Sequence, residues 1–110
     1  MTAEDHYLHG VDLFTESRWD EALAAYQSAL AVDPNYADAM HGIAQVHIQA
    51  GRFDDAIACC RRIAELEPDD VLAHTTMSIA YQRKGMIPEA EAEGAIARTL
   101  SWKKQLNEDK

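Results

Sequence analysis

The side chains best suited to metal binding in this sequence are its five histidines. His6 and His9 are three residues apart, so they would lie on one face of a helix. Two ligands alone rarely hold a metal, and the sequence contains no H-E-x-x-H motif. We therefore expect no metal and no cofactor, and a weak divalent-metal site at His6 and His9 is a remote alternative.

Nucleophilic and phosphate chemistry have little support in the sequence. Its two cysteines, Cys59 and Cys60, are adjacent, and no second pair could complete a four-cysteine zinc site. We expect them to pack as small apolar side chains rather than to act in redox chemistry. The sequence has neither a glycine-rich phosphate loop nor a nucleophile elbow. These features predict that the protein is not an enzyme.

The chain is instead organised by a period of 34 residues. Small residues recur at this spacing, as do bulky apolar residues and the prolines that would separate successive units. The matching sets are Ala22, Ala56 and Ala90; Trp19, Phe53 and Ile87; and Pro34 and Pro68. A fixed period of this length indicates a stack of repeated supersecondary units.

The second copy carries the clearest motif. Its characteristic positions hold Met40, Ile43, Ala44, His47, Ala56, Cys60 and Pro68. With this pattern the chain resembles the tetratricopeptide repeat family. The resemblance implies a single all-α domain over residues 1–110, a right-handed α-solenoid of three helix-turn-helix repeats. The repeats would cover residues 3–36, 37–70 and 71–104, with a tail at 105–110.

The same pattern predicts six helices and their boundaries. We expect helices at about 3–16, 20–32, 36–49, 54–65, 71–84 and from 88 to beyond 100. Gly51 and Gly85 should end first helices in the left-handed conformation. Asn35 and Asp69 are predicted N-caps. Trp102 occupies the position of the closing proline, so the last helix should continue, to about Leu106.

Charged residues are predicted to close both ends of the stack. Asp5 and Asp12 in the first repeat align with residues that are apolar in the later repeats. Glu91 and Arg98 in the last repeat align with mostly apolar residues in the earlier ones. A terminal repeat has no neighbour on one side, so a polar outer face is expected there.

Composition narrows the classes of partner. The net charge is −9 and the basic residues are few and scattered, which opposes binding to nucleic acid or anionic lipid. No apolar run of about 18 residues could span a membrane. The acidic first residues do not resemble a secretory signal, so we expect a cytoplasmic protein.

The resemblance implies that the first helix of each repeat lines a concave groove that binds a peptide or a partner helix. The predicted groove residues are Tyr7, Val11, Phe14, His41, Gln45, Ile48, Thr75, Ile79 and Gln82. Tyr7 and Phe14 are the predicted anchors, because large aromatic residues commonly dominate binding. The groove lacks the Lys and Asn with which one subclass grips chaperone tails, so an apolar or amphipathic ligand is expected.

Two functional hypotheses remain open at this point. In the first, the protein is a scaffold or adaptor that binds a peptide or amphipathic helix of another protein. In the second, its partner is itself, and Trp102 and Leu106 at one end join Tyr7 and Phe14 at the other in a homodimer or a head-to-tail chain. The sequence does not identify the partner.

Overall fold

The computed structural model describes residues 1–108 and consists of six α-helices in three antiparallel pairs. The helices are α1 (Ala3–Thr15), α2 (Trp19–Val32), α3 (Ala37–Gln49), α4 (Phe53–Leu66), α5 (Val71–Arg83) and α6 (Ile87–Glu108). Each helix packs against the next one along the chain, and α3 also contacts α1 and α5. The predicted all-α helical repeat fold is confirmed. No helix in the described part of the chain is long and apolar enough to cross a membrane.

The N-caps correct one sequence-based expectation. Asn35 and Asp69 were predicted as caps, but α3 begins after Tyr36 and α5 after Asp70. The Asp70 carboxylate accepts a hydrogen bond of 2.8 Å from the amide of Ala73. Asp70, and not Asp69, is therefore the N-cap of α5. In the preceding turn the amide of Asn35 donates to the Asp33 side chain, which stabilises the turn rather than the helix.

The turns inside the three repeats share a left-handed residue. Gly51 and Gly85 both have φ of +79°, which confirms the predicted glycine C-caps. The equivalent residue of the first repeat is Ser17, with φ of +60°. A side chain in this conformation costs roughly 1–2 kcal/mol because its Cβ crowds the backbone. The first repeat therefore contains a strain that the other two avoid.

We predict that Ser17→Gly stabilises the protein. The relief of strain is partly offset by the greater freedom of glycine in the unfolded chain, about 0.5–1 kcal/mol, so a net gain of up to about 1.5 kcal/mol is expected. Urea unfolding at neutral pH measures this change. As the matched control, Gly51→Ser should lower the free energy of unfolding by a similar amount, and a loss in both variants would contradict the assignment of strain.

The core runs through the stack, and its two ends are polar. Positions that face a preceding repeat are completely buried, whereas their counterparts Asp5 and Asp12 in α1 are exposed. The buried positions are Ala39, Val46, Ala73 and Ala80, all at 0 % exposure. Glu91 and Arg98 are exposed on the outer side of α6. Burial thus confirms the prediction that charged residues cover the end faces.

Helix α6 is longer than the others and reaches beyond the stack. It has 22 residues, because Trp102 replaces the proline that would otherwise end it. Residues four or three apart form an exposed stripe along this helix: Ala92, Ala95, Thr99, Trp102 and Leu106. The Trp102 side chain is 61 % exposed and that of Leu106 is 46 % exposed. The extension therefore carries apolar surface that this chain does not cover.

Candidate functional site

The Tyr26 ring forms the floor of the concave groove. It extends from α2 between Gly10 of α1 and Gly42 of α3, and it is 3 % exposed. A Cβ atom added at Gly10 or at Gly42 would lie 2.6 Å from a ring carbon of Tyr26. Both helices can approach the ring only because they carry glycine at these two places. Burial raises the pKa of the Tyr26 hydroxyl to about 12, so the ring is neutral.

A second aromatic residue connects this floor to the groove wall. The Tyr7 ring lies 5.8 Å from that of Tyr26, centroid to centroid, and 5.7 Å from that of Tyr36 in an edge-to-face arrangement. Phe14 packs edge-to-face on Trp19 at 5.1 Å. These contacts hold the two predicted anchors in fixed positions, with part of each ring exposed to the groove.

An apolar cavity of about 280 Å³ lies above the Tyr26 ring. Its walls come from all three first helices. The lining residues are Tyr7, Val11, Phe14, Tyr26, Asp38, His41, Gly42, Gln45 and Leu72. The structure therefore brings together five of the nine predicted groove residues: Tyr7, Val11, Phe14, His41 and Gln45.

The other four predicted groove residues do not line this cavity, although Thr75 lines a larger one beside it. Ile48 is 4 % exposed and belongs to the core cluster that includes Met40 and Ala44, so its assignment as a partner-binding residue is corrected. Ile48 is buried because its helix, α3, packs against helices of the first and the third repeat. A residue at the same position in a terminal repeat would have a neighbouring repeat on one side only. Thr75 and Ile79 are exposed on α5. Gln82 lies in a depression between α5 and α6, away from the cavity.

A larger acidic cavity of about 710 Å³ adjoins the apolar one and shares Asp38, His41 and Leu72 with it. It lies at the start of α3 and α5 and at the turn between α4 and α5. Its lining residues are Ala37, Asp38, His41, Glu67, Pro68, Asp69, Asp70, Val71, Leu72, Thr75 and Lys104. The set contains four carboxylates and one ammonium group. We refer to Asp38, Glu67 and Asp69 as the acidic rim.

Polar contacts fix the floor between the two cavities. His41 Nε2 lies 2.9 Å from the Asp70 carboxylate, and both side chains are 13 % exposed. Burial by itself would raise the pKa of Asp70, but the hydrogen bonds from His41 and from the Ala73 amide outweigh it and lower that pKa below its ordinary value. Gln45 Nε2 donates to Thr76 Oγ1 at 3.3 Å. The second and third repeats are therefore held together directly beneath the groove.

The acidic rim was missed from the sequence, although one signal was present. Asp38 is 34 residues before Leu72, so the two hold equivalent positions in the second and third repeats, and Asp38 lies three residues before the predicted groove residue His41. Glu67 and Asp69 come from the turn between repeats, where acidic residues are usually only solvated. Their proximity to Asp38 becomes visible only when the repeats are stacked.

The histidines and cysteines among the described residues form no group that could hold a metal ion. Within residues 1–108, no three His, Cys, Asp or Glu side chains are placed to hold a metal ion. His74 Nδ1 is 2.7 Å from the Glu93 carboxylate, a contact that joins α5 to α6. Burial raises the pKa of the Cys59 thiol to about 11 and that of Cys60 to about 12, so both are protonated at neutral pH. Protonated, buried thiols are poor nucleophiles.

The family model for the tetratricopeptide repeat matches residues 13–78, which is more than half of the chain. The protein belongs to the tetratricopeptide repeat family. The match covers α2 to α4 completely, together with the last three residues of α1 and most of α5. The resemblance inferred from the repeated motif is thus confirmed.

One relative with a similar sequence is a much longer protein. The Hsp70-Hsp90 organising protein of Plasmodium falciparum is 32 % identical over 60 residues, which are 54 % of this chain and 11 % of that protein. This chain thus spans about a tenth of the length of that relative.

Two solved structures show how closely the fold agrees. The crystal structure of MamA superposes with a TM-score of 0.89 at 29 % identity, covering 94 % of this chain and 61 % of that one. The second tetratricopeptide domain of Spaghetti (RPAP3), solved with the HSP90 peptide SRMEEVD, superposes with a TM-score of 0.83. Its identity is 19 %, with coverage of 91 % and 93 %, and at this identity the likeness shows the fold alone.

We predict that Gly42→Ala destabilises the protein. The added methyl group would collide with the Tyr26 ring, and overpacking of this kind costs about 1–3 kcal/mol. Gly94→Ala is the matched control, because its Cβ would meet only side-chain atoms at 3.4 Å or more. There the better helix propensity of alanine should stabilise by up to about 1 kcal/mol. Thermal unfolding of both variants tests the contact, and equal shifts would contradict it.

Proposed function

We propose that this protein is a non-enzymatic scaffold or adaptor that binds a peptide or amphipathic helix of another protein in its concave groove. The observation that carries the proposal is the apolar cavity over Tyr26, where five independently predicted residues from two repeats meet Leu72 of the third. Leu72 is 48 % exposed, so apolar area is available to a ligand. A cytoplasmic location remains part of this proposal.

The shape of the groove favours a polypeptide as the ligand. Side chains from three repeats line it in sequence, which gives an extended surface rather than a closed pocket. An amphipathic segment could place apolar side chains into the cavity while its polar side chains stay in water. The Spaghetti domain, which has the same fold, was solved with a bound peptide, and this supports a peptide as the ligand here.

The groove does not favour the acidic chaperone tails. The positions that would need cationic or amide side chains hold Tyr7, Val11, Gly42, Leu72 and Thr76. Asp38 lies beside them and would repel a carboxylate. We therefore propose a ligand whose contacts are apolar, in contrast to the peptide bound by the Spaghetti domain.

Leu72→Gln tests the groove with little risk to the fold. Selection of a displayed random peptide library on the wild-type protein would supply binders, and fluorescence polarisation would measure their affinity. Because burying the exposed part of one leucine contributes about 1 kcal/mol, we expect Leu72→Gln to weaken binding about fivefold or more. The control Ile96→Gln removes a similarly exposed side chain of α6 that lines neither cavity, and it should leave affinity unchanged.

Tyr7→Ala and Phe14→Ala examine the predicted anchors in the same assay. Their rings also pack on Tyr26, Tyr36 and Trp19, so the thermal midpoint must be recorded alongside the affinity. Binding that is unaffected by Leu72→Gln and by both anchor variants would contradict the proposed groove.

Self-association is the second candidate function, and the exposed stripe on α6 favours it. Trp102 and Leu106 are four residues apart on this stripe and are both largely exposed. Apolar surface of this kind commonly marks an interface. A second copy of the chain could cover it in a two-fold dimer.

We predict that Trp102→Gln with Leu106→Gln lowers the association of wild-type protein without lowering its stability. Light scattering across a concentration series measures the association, and urea unfolding at low concentration measures stability. A wild-type protein that stays monomeric at all concentrations would contradict this second candidate.

A further inference from the structure

We propose that the groove selects a cationic amphipathic segment, in which one large apolar side chain lies next to lysine or arginine. This inference rests on the proposed function, since it names the class of ligand for the same groove. It follows from the adjacency of the apolar cavity and the acidic rim.

The apolar part of the ligand has a defined place. Tyr7, Val11 and Phe14 form one wall of the smaller cavity, and Leu72 lies opposite them on α5. The cavity of about 280 Å³ is open to solvent on the concave side and has a volume suited to one or two large side chains. This part of the site determines that the ligand is amphipathic.

The basic part of the ligand would lie directly beside it. Asp38, one member of the acidic rim, lines both cavities, and Glu67 and Asp69 lie around the larger one. All three are exposed, and none of them forms an ion pair with another residue among 1–108. Asp70 differs, because His41 and the Ala73 amide already contact its carboxylate. The acidic rim therefore offers three solvated carboxylates to an incoming cation.

The local field stays negative with the chain's own lysines included. Lys104 lines the larger cavity, where the extension of α6 places it, and Lys103 lies with Lys104 beside Asp69 in an adjoining depression. Counting Asp, Glu and Lys side chains, four carboxylates against two ammonium groups leave a charge of about −2. The net charge of −9 over the whole chain adds to this field. Such a field attracts cationic segments, accelerates their association and repels anionic ones.

The experiment uses three synthetic peptides of about 16 residues, or four helical turns, that share one apolar stripe. Their polar positions carry lysine, glutamine or glutamate. The wild-type protein, residues 1–110, is compared with the variant Asp38→Asn/Glu67→Gln/Asp69→Asn. The matched control Asp12→Asn/Glu65→Gln/Glu91→Gln removes the same three charges from exposed positions outside both cavities. Affinity is measured by fluorescence polarisation at about 0.1 M and 1 M NaCl, where the Debye length falls from about 10 Å to about 3 Å.

We expect the lysine peptide to bind most tightly and the glutamate peptide least. Neutralising the acidic rim should weaken the lysine peptide about tenfold, the combined effect of three exposed charge pairs, and should remove most of its salt dependence. The control variant should bind the lysine peptide nearly as the wild type does. Leu72→Gln should weaken all three peptides by a similar factor, because it acts on the shared apolar stripe.

Two results would overturn the inference while the proposed function stands. In one, the three peptides bind equally and all depend on Leu72; in the other, both triple variants lose the same affinity. If none of the peptides binds, or if Leu72→Gln affects none of them, the proposed function fails as well. If wild-type protein is a constant dimer that Leu72→Gln dissociates, the groove is occupied by a second copy of the chain, and the cationic ligand is wrong.

Discussion

The packing of one tyrosine ring between two glycines determines the geometry of the groove. Tyr26 reaches from α2 to the backbones of α1 and α3, and a methyl group on either Gly10 or Gly42 would overlap its ring. The ring thus fixes the distance between the first helices of repeats one and two. The Tyr7 side chain rests on the same ring, so a wall of the proposed binding surface is supported by the core.

The sequence predicted the architecture well because the 34-residue period is a property of local side-chain sizes. Helix boundaries, the left-handed glycines and the charged end faces all follow from aligning the three copies. Asn35 and Asp69 were wrong as N-caps by one residue. The Asp70 carboxylate is the one that reaches a helix amide at α5, and α3 begins after Tyr36 without a side-chain cap. Ser17 shows the same limit, because a left-handed turn was recognised only where glycine marked it.

The site was predicted only in part, for a different reason. Ile48 was assigned to the groove by its place on the helix, but α3 is covered on both sides and the residue is buried in the core. Asp38 lies in α3, far in sequence from Glu67 and Asp69, which share the turn between α4 and α5. Their common rim arises from stacking, which no single repeat reveals. In a repeat protein, the residues that are exposed, and the surface residues that come together, therefore depend on the neighbouring repeats. The helix-turn-helix fold of each repeat follows from its own sequence.

A double-mutant cycle between Tyr26→Leu and Gly42→Ala tests the central claim most directly. Leucine lacks the ring carbons Cε and Cζ that a Cβ at position 42 would meet. The account predicts that Gly42→Ala destabilises the wild-type protein but is neutral or stabilising in the Tyr26→Leu background, with a coupling energy of about 1–3 kcal/mol. An equal cost of the alanine in both backgrounds would show that the ring does not set the approach of the helices, and would contradict the account.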